Sequence, residues 1–130
     1  MTTFLIGTDG QETSEALVRY VRGRTDDDDT LYAVNSLHGG DRTSDEDIVD
    51  GERALEVLAE EVGAETHQLV RGNSPQVDML EFAREHDVDE LVIGIRKRSP
   101  TGKMLFGSTA QDLLLETDRP VVTIPLAAPN

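Results

Sequence analysis

The chain has 130 residues, with 26 acidic and 12 basic side chains, a formal net charge of −14 and no cysteine. A length of this order fits one domain, here residues 1–130, and buries roughly two thirds of the unfolded surface, so no disulfide or metal staple is needed. The charge argues against neutralising nucleic-acid phosphates, the 37% hydrophobic content in regular blocks argues against disorder, and the lack of cysteine removes thiol and Cys-metal chemistry.

The first apolar run, residues 3–8 (TFLIGT), ends at Asp9-Gly10 and reads as a buried strand stopped by a turn. Residues 14–22 carry apolar side chains at 16, 17, 18, 20 and 21 and read as a helix capped by Thr13 or Ser14. Four aspartates at 26–29 form a solvated turn, and residues 31–34 (LYAV) a second strand. The polar stretch 38–47 is long enough to be mobile. Apolar positions 54, 55, 57, 58 and 62 mark a helix ending near Gly63, and residues 67–70 a weaker third strand. Ser74-Pro75 opens another helix, with Ser as N-cap and Pro at N1. Residues 88–94 (VDELVIG) form the fourth strand, Gly107-Ser108 opens the last helix, and residues 120–125 (PVVTIP) close the chain as a fifth strand.

Strands and helices therefore alternate throughout. That pattern predicts an α/β fold: a doubly wound parallel sheet with helices on both faces. In such sheets ligands bind beyond the carboxyl ends of the strands, where the strand order reverses. No apolar run approaches the roughly 18 residues of a membrane span. The N-terminus MTTFLIGTDG has neither a basic region nor a small-residue cleavage site, so no signal peptide is expected and the expected location is cytoplasmic. The cations are ten Arg and two Lys, and a Lys-poor acidic surface looks like that of proteins from a high-salt cytoplasm, where dense salt screens carboxylate repulsion.

The segment from Gly94 to Thr109, GIRKRSPTGKMLFGST, concentrates Arg96, Lys97, Arg98 and Lys103 just before a helix N-terminus. Free N–H groups and the positive dipole end make such a terminus an anion site. A basic island in so acidic a chain reads as a phosphate or nucleotide site; the bland reading is that it balances Asp87, Asp89, Glu90 and Asp112. A P-loop ending at Gly102-Lys103 fails, because Lys97 and Met104 stand where Gly and Ser or Thr are required. No G-x-G-x-x-G follows the first strand. Only five aromatic residues are present, too few for a flavin sandwich. His38, His67 and His86 are dispersed and expected at the surface. Asp45-Glu46-Asp47 with Asp50-Gly51 fails as a calcium loop, since Val49 occupies a ligand position, and reads as a solvated helix start.

The spacing Gly94-x2-Lys97-x9-Gly107-Ser108 resembles the G-2x-G-9x-G-[ST] loop of the universal stress protein family. Thr8-Asp9-Gly10 running on to Ser14 resembles that family's first strand with its D-G-S-x-x-S-x-x-A continuation, and DRPVVTIP resembles its last strand. The likeness covers essentially the whole chain, and the charge suggests a haloarchaeal-type member. It implies a sheet of order 3-2-1-4-5 and a homodimer paired through the last strand, at Val121, Val122, Thr123 and Ile124. It also implies a regulatory domain binding ATP, AMP or a related phosphate anion, with Mg2+ as an accompanying ion. Asp9, beside Gly7 and Thr8, would face ribose or adenine, and Val34 would meet adenine. Ile93 and Gly94 would lie along ribose and phosphates, while Gly107, Ser108 and Thr109 would hold the phosphates. Lys97 departs from the motif's second Gly. Either its ammonium, with Arg96 and Arg98, replaces backbone donors, or the chain is a protein-interaction module without ATP. No acid/base pair flanks the loop, so the most expected of it as an enzyme is slow ATP hydrolysis.

Overall fold

A computed structural model of the chain describes residues 1–37, 44–70, 74–96 and 108–126. Among them, β1 (Thr3–Gly7), α1 (Gln11–Arg22), β2 (Thr30–Ser36), α2 (Asp45–Val62), β3 (Glu65–Leu69), α3 (Pro75–Glu85), β4 (Glu90–Arg96), α4 (Ser108–Glu116) and β5 (Val121–Leu126) follow one another. The strands form one parallel sheet, as the alternating pattern predicts, in the order β3-β2-β1-β4-β5 that the family resemblance implies.

Strand parity sorts the core. Successive side chains of a strand point to opposite faces. Phe4, Ile6, Ala33 and Val92 meet Leu17, Val18 and Val21 of α1 and Leu55 and Leu58 of α2 on one face. Leu5, Val34, Leu91 and Ile93 meet Met79, Leu80, Phe82 and Ala83 of α3 and Leu113 of α4 on the other. Both faces are covered, so the central strands read as continuous apolar runs. No helix of the described residues is long and apolar enough to cross a membrane.

Several boundaries differ from the sequence reading, each for a local reason. Helix α1 starts at Gln11 with Gly10 as N-cap and no side-chain cap bond. Ser14 and Thr13 are not caps, because Ser14 Oγ donates to the Ala54 carbonyl at 2.7 Å and Thr13 Oγ1 donates to Asp9 Oδ1. Strand β2 runs past Val34 through Asn35 and Ser36, whose backbones pair with Gln68 and Leu69 of β3. Helix α2, by contrast, starts at Asp45, at the solvated helix start that the sequence leads one to expect. Ser44 and Asp47 close a capping box, and Asp45, Glu46 and Asp47 sit at the positive end of the helix dipole. Gly63 ends it in the left-handed conformation, φ 70°. His67 and His86 lie only partly at the surface. They are half-buried with Tyr32 and Phe82, and the His86 ring stacks on Phe82 at 3.9 Å and 16°. His38 lies outside the described residues.

Candidate functional site

Strand order reverses at β1, which has β2 on one side and β4 on the other. At the carboxyl ends of these strands lies a cavity of about 280 Å³, near the lower end of the ~300–1,000 Å³ typical of small-molecule sites. Gly7, Thr8 and Asp9 supply one wall, and Val34, Asn35 and Ser36 the next. Ile93, Gly94 and Ile95 supply a third, and Pro75 and Met79 of α3 with Thr109, Ala110 and Leu113 of α4 close it. Gly7 makes room there for its neighbour. A Cβ on it would overlap Met79 Cε and lie 3.1 Å from the sulfur, so the bare backbone lets the thioether lie across the cavity floor.

Of the site residues read from the sequence, Gly7, Thr8, Asp9, Val34, Ile93, Gly94 and Thr109 line this cavity. The backbone of Arg96 ends β4 and that of Ser108 begins α4. Lys97, Arg98 and Gly107 lie outside the described residues. The sequence reading missed Thr13, Asn35, Ser36, Pro75 and Met79. The signal for the first three was topological: polar residues at the carboxyl end of the strand beside β1, and one turn into the helix after it.

Polar contacts around the cavity form two chains that both start at Thr8 and both end on α2. One proton per hydroxyl orders the first chain. Thr8 Oγ1 reaches Ser14 Oγ at 2.7 Å, and Ser14 Oγ donates to the Ala54 carbonyl. In the second, Asn35 Nδ2 donates to the Thr8 carbonyl at 3.0 Å, and Gln68 Nε2 donates to Asn35 Oδ1 at 3.2 Å and to the Ile48 carbonyl at 2.9 Å. Helix α2 comes this close because Gly51 faces the amide pair. A Cβ there would overlap Asn35 Oδ1 and lie 2.6 Å from Gln68 Nε2.

At the α3 wall, Ser36 Oγ donates to Asp78 Oδ2 at 2.7 Å. Asp78 is fully buried, and its Oδ1 has no hydrogen-bond partner among the described residues. The two ends of the cavity thus differ. The Ser36 end carries a hydroxyl acceptor, whereas the opposite end meets the first turn of α4, whose N–H groups are donors. Between them Val34, Met79, Ile93 and Leu113 give apolar surface suited to a flat ring. The described residues hold no group of three or more His, Asp or Glu able to bind a metal ion.

Comparison with known proteins bears on what such a cavity holds. Residues 1–125 match the sequence model of the Universal stress protein family. A universal stress protein from Mycolicibacterium smegmatis is 58% identical over 47 residues, a match spanning 36% of this chain and 36% of that protein. A solved universal stress protein from Archaeoglobus fulgidus is 39% identical, with 95% of this chain and 98% of that chain covered and a TM-score of 0.75. A second structure from that organism, a universal stress protein in complex with dAMP, is 33% identical over the same shares of the two chains, with a TM-score of 0.68.

Proposed function

The chain belongs to the universal stress protein family, and on that premise we propose that it is a regulatory domain, spanning residues 1–130, that binds an adenine nucleotide, AMP or ATP, in the cavity beside β1. One observation carries this reading. Gly7, Thr8, Asp9, Val34, Ile93, Gly94 and Thr109, which the family resemblance singles out, line one cavity at the reversal of strand order. The cavity fits such a ligand by its chemistry. Apolar walls suit the base, and the first turn of α4, with Ser108 and Thr109, suits the phosphate. Lys97, with Arg96 and Arg98, adds cations in place of the backbone donors that a glycine would free, and Mg2+ accompanies ATP. The bound relative with dAMP supports an adenine ligand.

Around this site we place a homodimer paired through the free edge of β5, where Val121, Val122, Thr123 and Ile124 are half-buried. The acidic, Lys-poor surface suits a cytoplasm rich in salt. The second reading is the interaction module without nucleotide, and Lys97 is the residue that favours it.

Calorimetric titration of ATP, ADP, AMP and inorganic phosphate into the native chain and into Lys97→Gly separates the two. Nucleotide binding by the native chain with a dissociation constant below 1 mM is expected. Binding by the Lys97→Gly form alone would mean that Lys97 has disabled an inherited site and would favour the interaction module. Binding by neither form would sink the nucleotide reading.

A further inference from the structure

We propose that Ser36, positioned by Asp78, selects the base: it admits a ring bearing an exocyclic amine and discriminates against one bearing a carbonyl at the same place. The inference rests on the nucleotide reading and deepens it, because it concerns which base the cavity takes.

The argument starts from proton counting. A serine hydroxyl has one proton to give. That of Ser36 goes to Asp78 Oδ2 at 2.7 Å, an acceptor that is itself fully buried. What the Ser36 hydroxyl turns toward the cavity is therefore lone pairs only. Asp78 itself is fully buried behind the wall that Ser36, Pro75 and Met79 line. A ligand bringing a donor to the Ser36 hydroxyl gains a hydrogen bond, and a ligand bringing an acceptor meets repulsion.

Orientation follows from the opposite end. The first turn of α4 offers backbone donors and the positive end of a dipole, so a phosphate group belongs there. The Ser36–Asp78 pair would repel it. With the phosphate at α4, the far edge of the base lies at Ser36. A 6-amino group there meets acceptors, whereas a 6-oxo group would set oxygen against oxygen. Asp78 acts through Ser36 and is a positioning residue. It fixes the direction of the hydroxyl proton and so the sign of the selection.

The test uses AMP and IMP, which differ at that one substituent, titrated calorimetrically into the native chain, Ser36→Ala and Asp78→Asn. One hydrogen bond gained against one repulsion predicts that the native chain prefers AMP by about tenfold. Ser36→Ala is expected to weaken AMP and, by removing the repulsion, to strengthen IMP, bringing the ratio to within about threefold. Asp78→Asn supplies a donor to Ser36 and frees the hydroxyl proton, so the preference should move toward IMP. A merely structural role would lower both affinities together and leave the ratio alone. Should Asp78→Asn fail to melt cooperatively, Ser36→Ala decides by itself. Equal binding of AMP and IMP by the native chain, or an unchanged preference in Ser36→Ala, overturns the proposal while the nucleotide reading stands. Absence of any nucleotide binding by the native chain overturns both.

Discussion

Replacing Gly51 by alanine is the substitution whose sign separates packing from propensity. Gly51 lies inside α2, where alanine is favoured over glycine by about 1 kcal/mol. Propensity alone therefore predicts a more stable protein. The surroundings predict the reverse. The new methyl would overlap Asn35 Oδ1 and crowd Gln68 Nε2 at 2.6 Å, and neither amide is idle. Asn35 is buried and satisfies the Thr8 carbonyl, while Gln68 holds the Ile48 carbonyl of α2. Making room either breaks the Gln68–Asn35 and Gln68–Ile48 bonds, at about 0.5–1.5 kcal/mol each, or lifts α2 from the sheet, an overpacking cost of about 1–3 kcal/mol. Set against the gain in propensity, Gly51→Ala should lose up to about 2 kcal/mol. For a domain of this length each kcal/mol moves the thermal midpoint by about 3–5 °C, so a fall of up to about 10 °C is expected. The assay is urea unfolding and thermal melting in high salt, run as a cycle with Asn35→Ala. In the Asn35→Ala background the overlap with Oδ1 is gone, Gln68 is free to swing, and the same Gly51→Ala change should be neutral or stabilising by up to about 1 kcal/mol. A native-background Gly51→Ala more stable than the parent, or equal effects in both backgrounds, would refute the reasoning.

Two further outcomes follow from other sites. Gly7→Ala meets only the flexible end of Met79, so stability should change by less than about 1 kcal/mol. The displaced thioether would then enter the cavity, and calorimetry should show AMP binding weakened about tenfold or more. At acid pH the lead into β1 should loosen. Asp29 is held below the ordinary carboxylate range by the backbone N–H groups of Asp26 and Thr2, which donate to its oxygens at 2.9 and 2.8 Å. Its folded-state pKa is lower than its unfolded value, so its contribution is present above the unfolded pKa of about 3.9 and lost as pH falls through the folded one. Asp29→Asn should accordingly flatten the pH dependence of the unfolding midpoint below about pH 4. An unchanged acid limb would show that these bonds do not couple to folding.

The order of elements was legible because every central strand carries an apolar run and every helix an apolar stripe, as in residues 4–6 against Leu17, Val18 and Val21. Boundaries were legible where a local signal marks them, as with Pro75 at the start of α3 and Gly63 at the end of α2. They were hidden where a distant partner decides. Asn35 and Ser36 are polar and look like loop, yet β3 draws their backbones into the sheet and their side chains serve α2 and α3. Ser14 looks like a cap until Ala54, forty residues on, takes its proton. For the candidate site, Gly7, Asp9, Ile93 and Thr109 were legible through a spacing pattern, and Ser36 with Asp78 was not, since no local pattern joins residues 42 apart. Histidines 67 and 86 misled for the same reason: their ring neighbours Tyr32 and Phe82 come from other strands and helices or from another turn.

The polar groups of Thr8 are all engaged within the fold. Its N–H goes to the Val34 carbonyl, its own carbonyl accepts from Asn35, and its hydroxyl contacts Ser14, the Gly10 carbonyl and the Gly10 N–H. A side chain that must be immobilised on binding costs a ligand about 0.5–1.5 kcal/mol of lost rotamer freedom. Thr8 is immobilised when the chain folds, and through Asn35 and Ser14 the same folding step fixes its contact with α2. The wall beside β1 is thus preorganised, so a ligand meets there a surface whose entropy has already been surrendered.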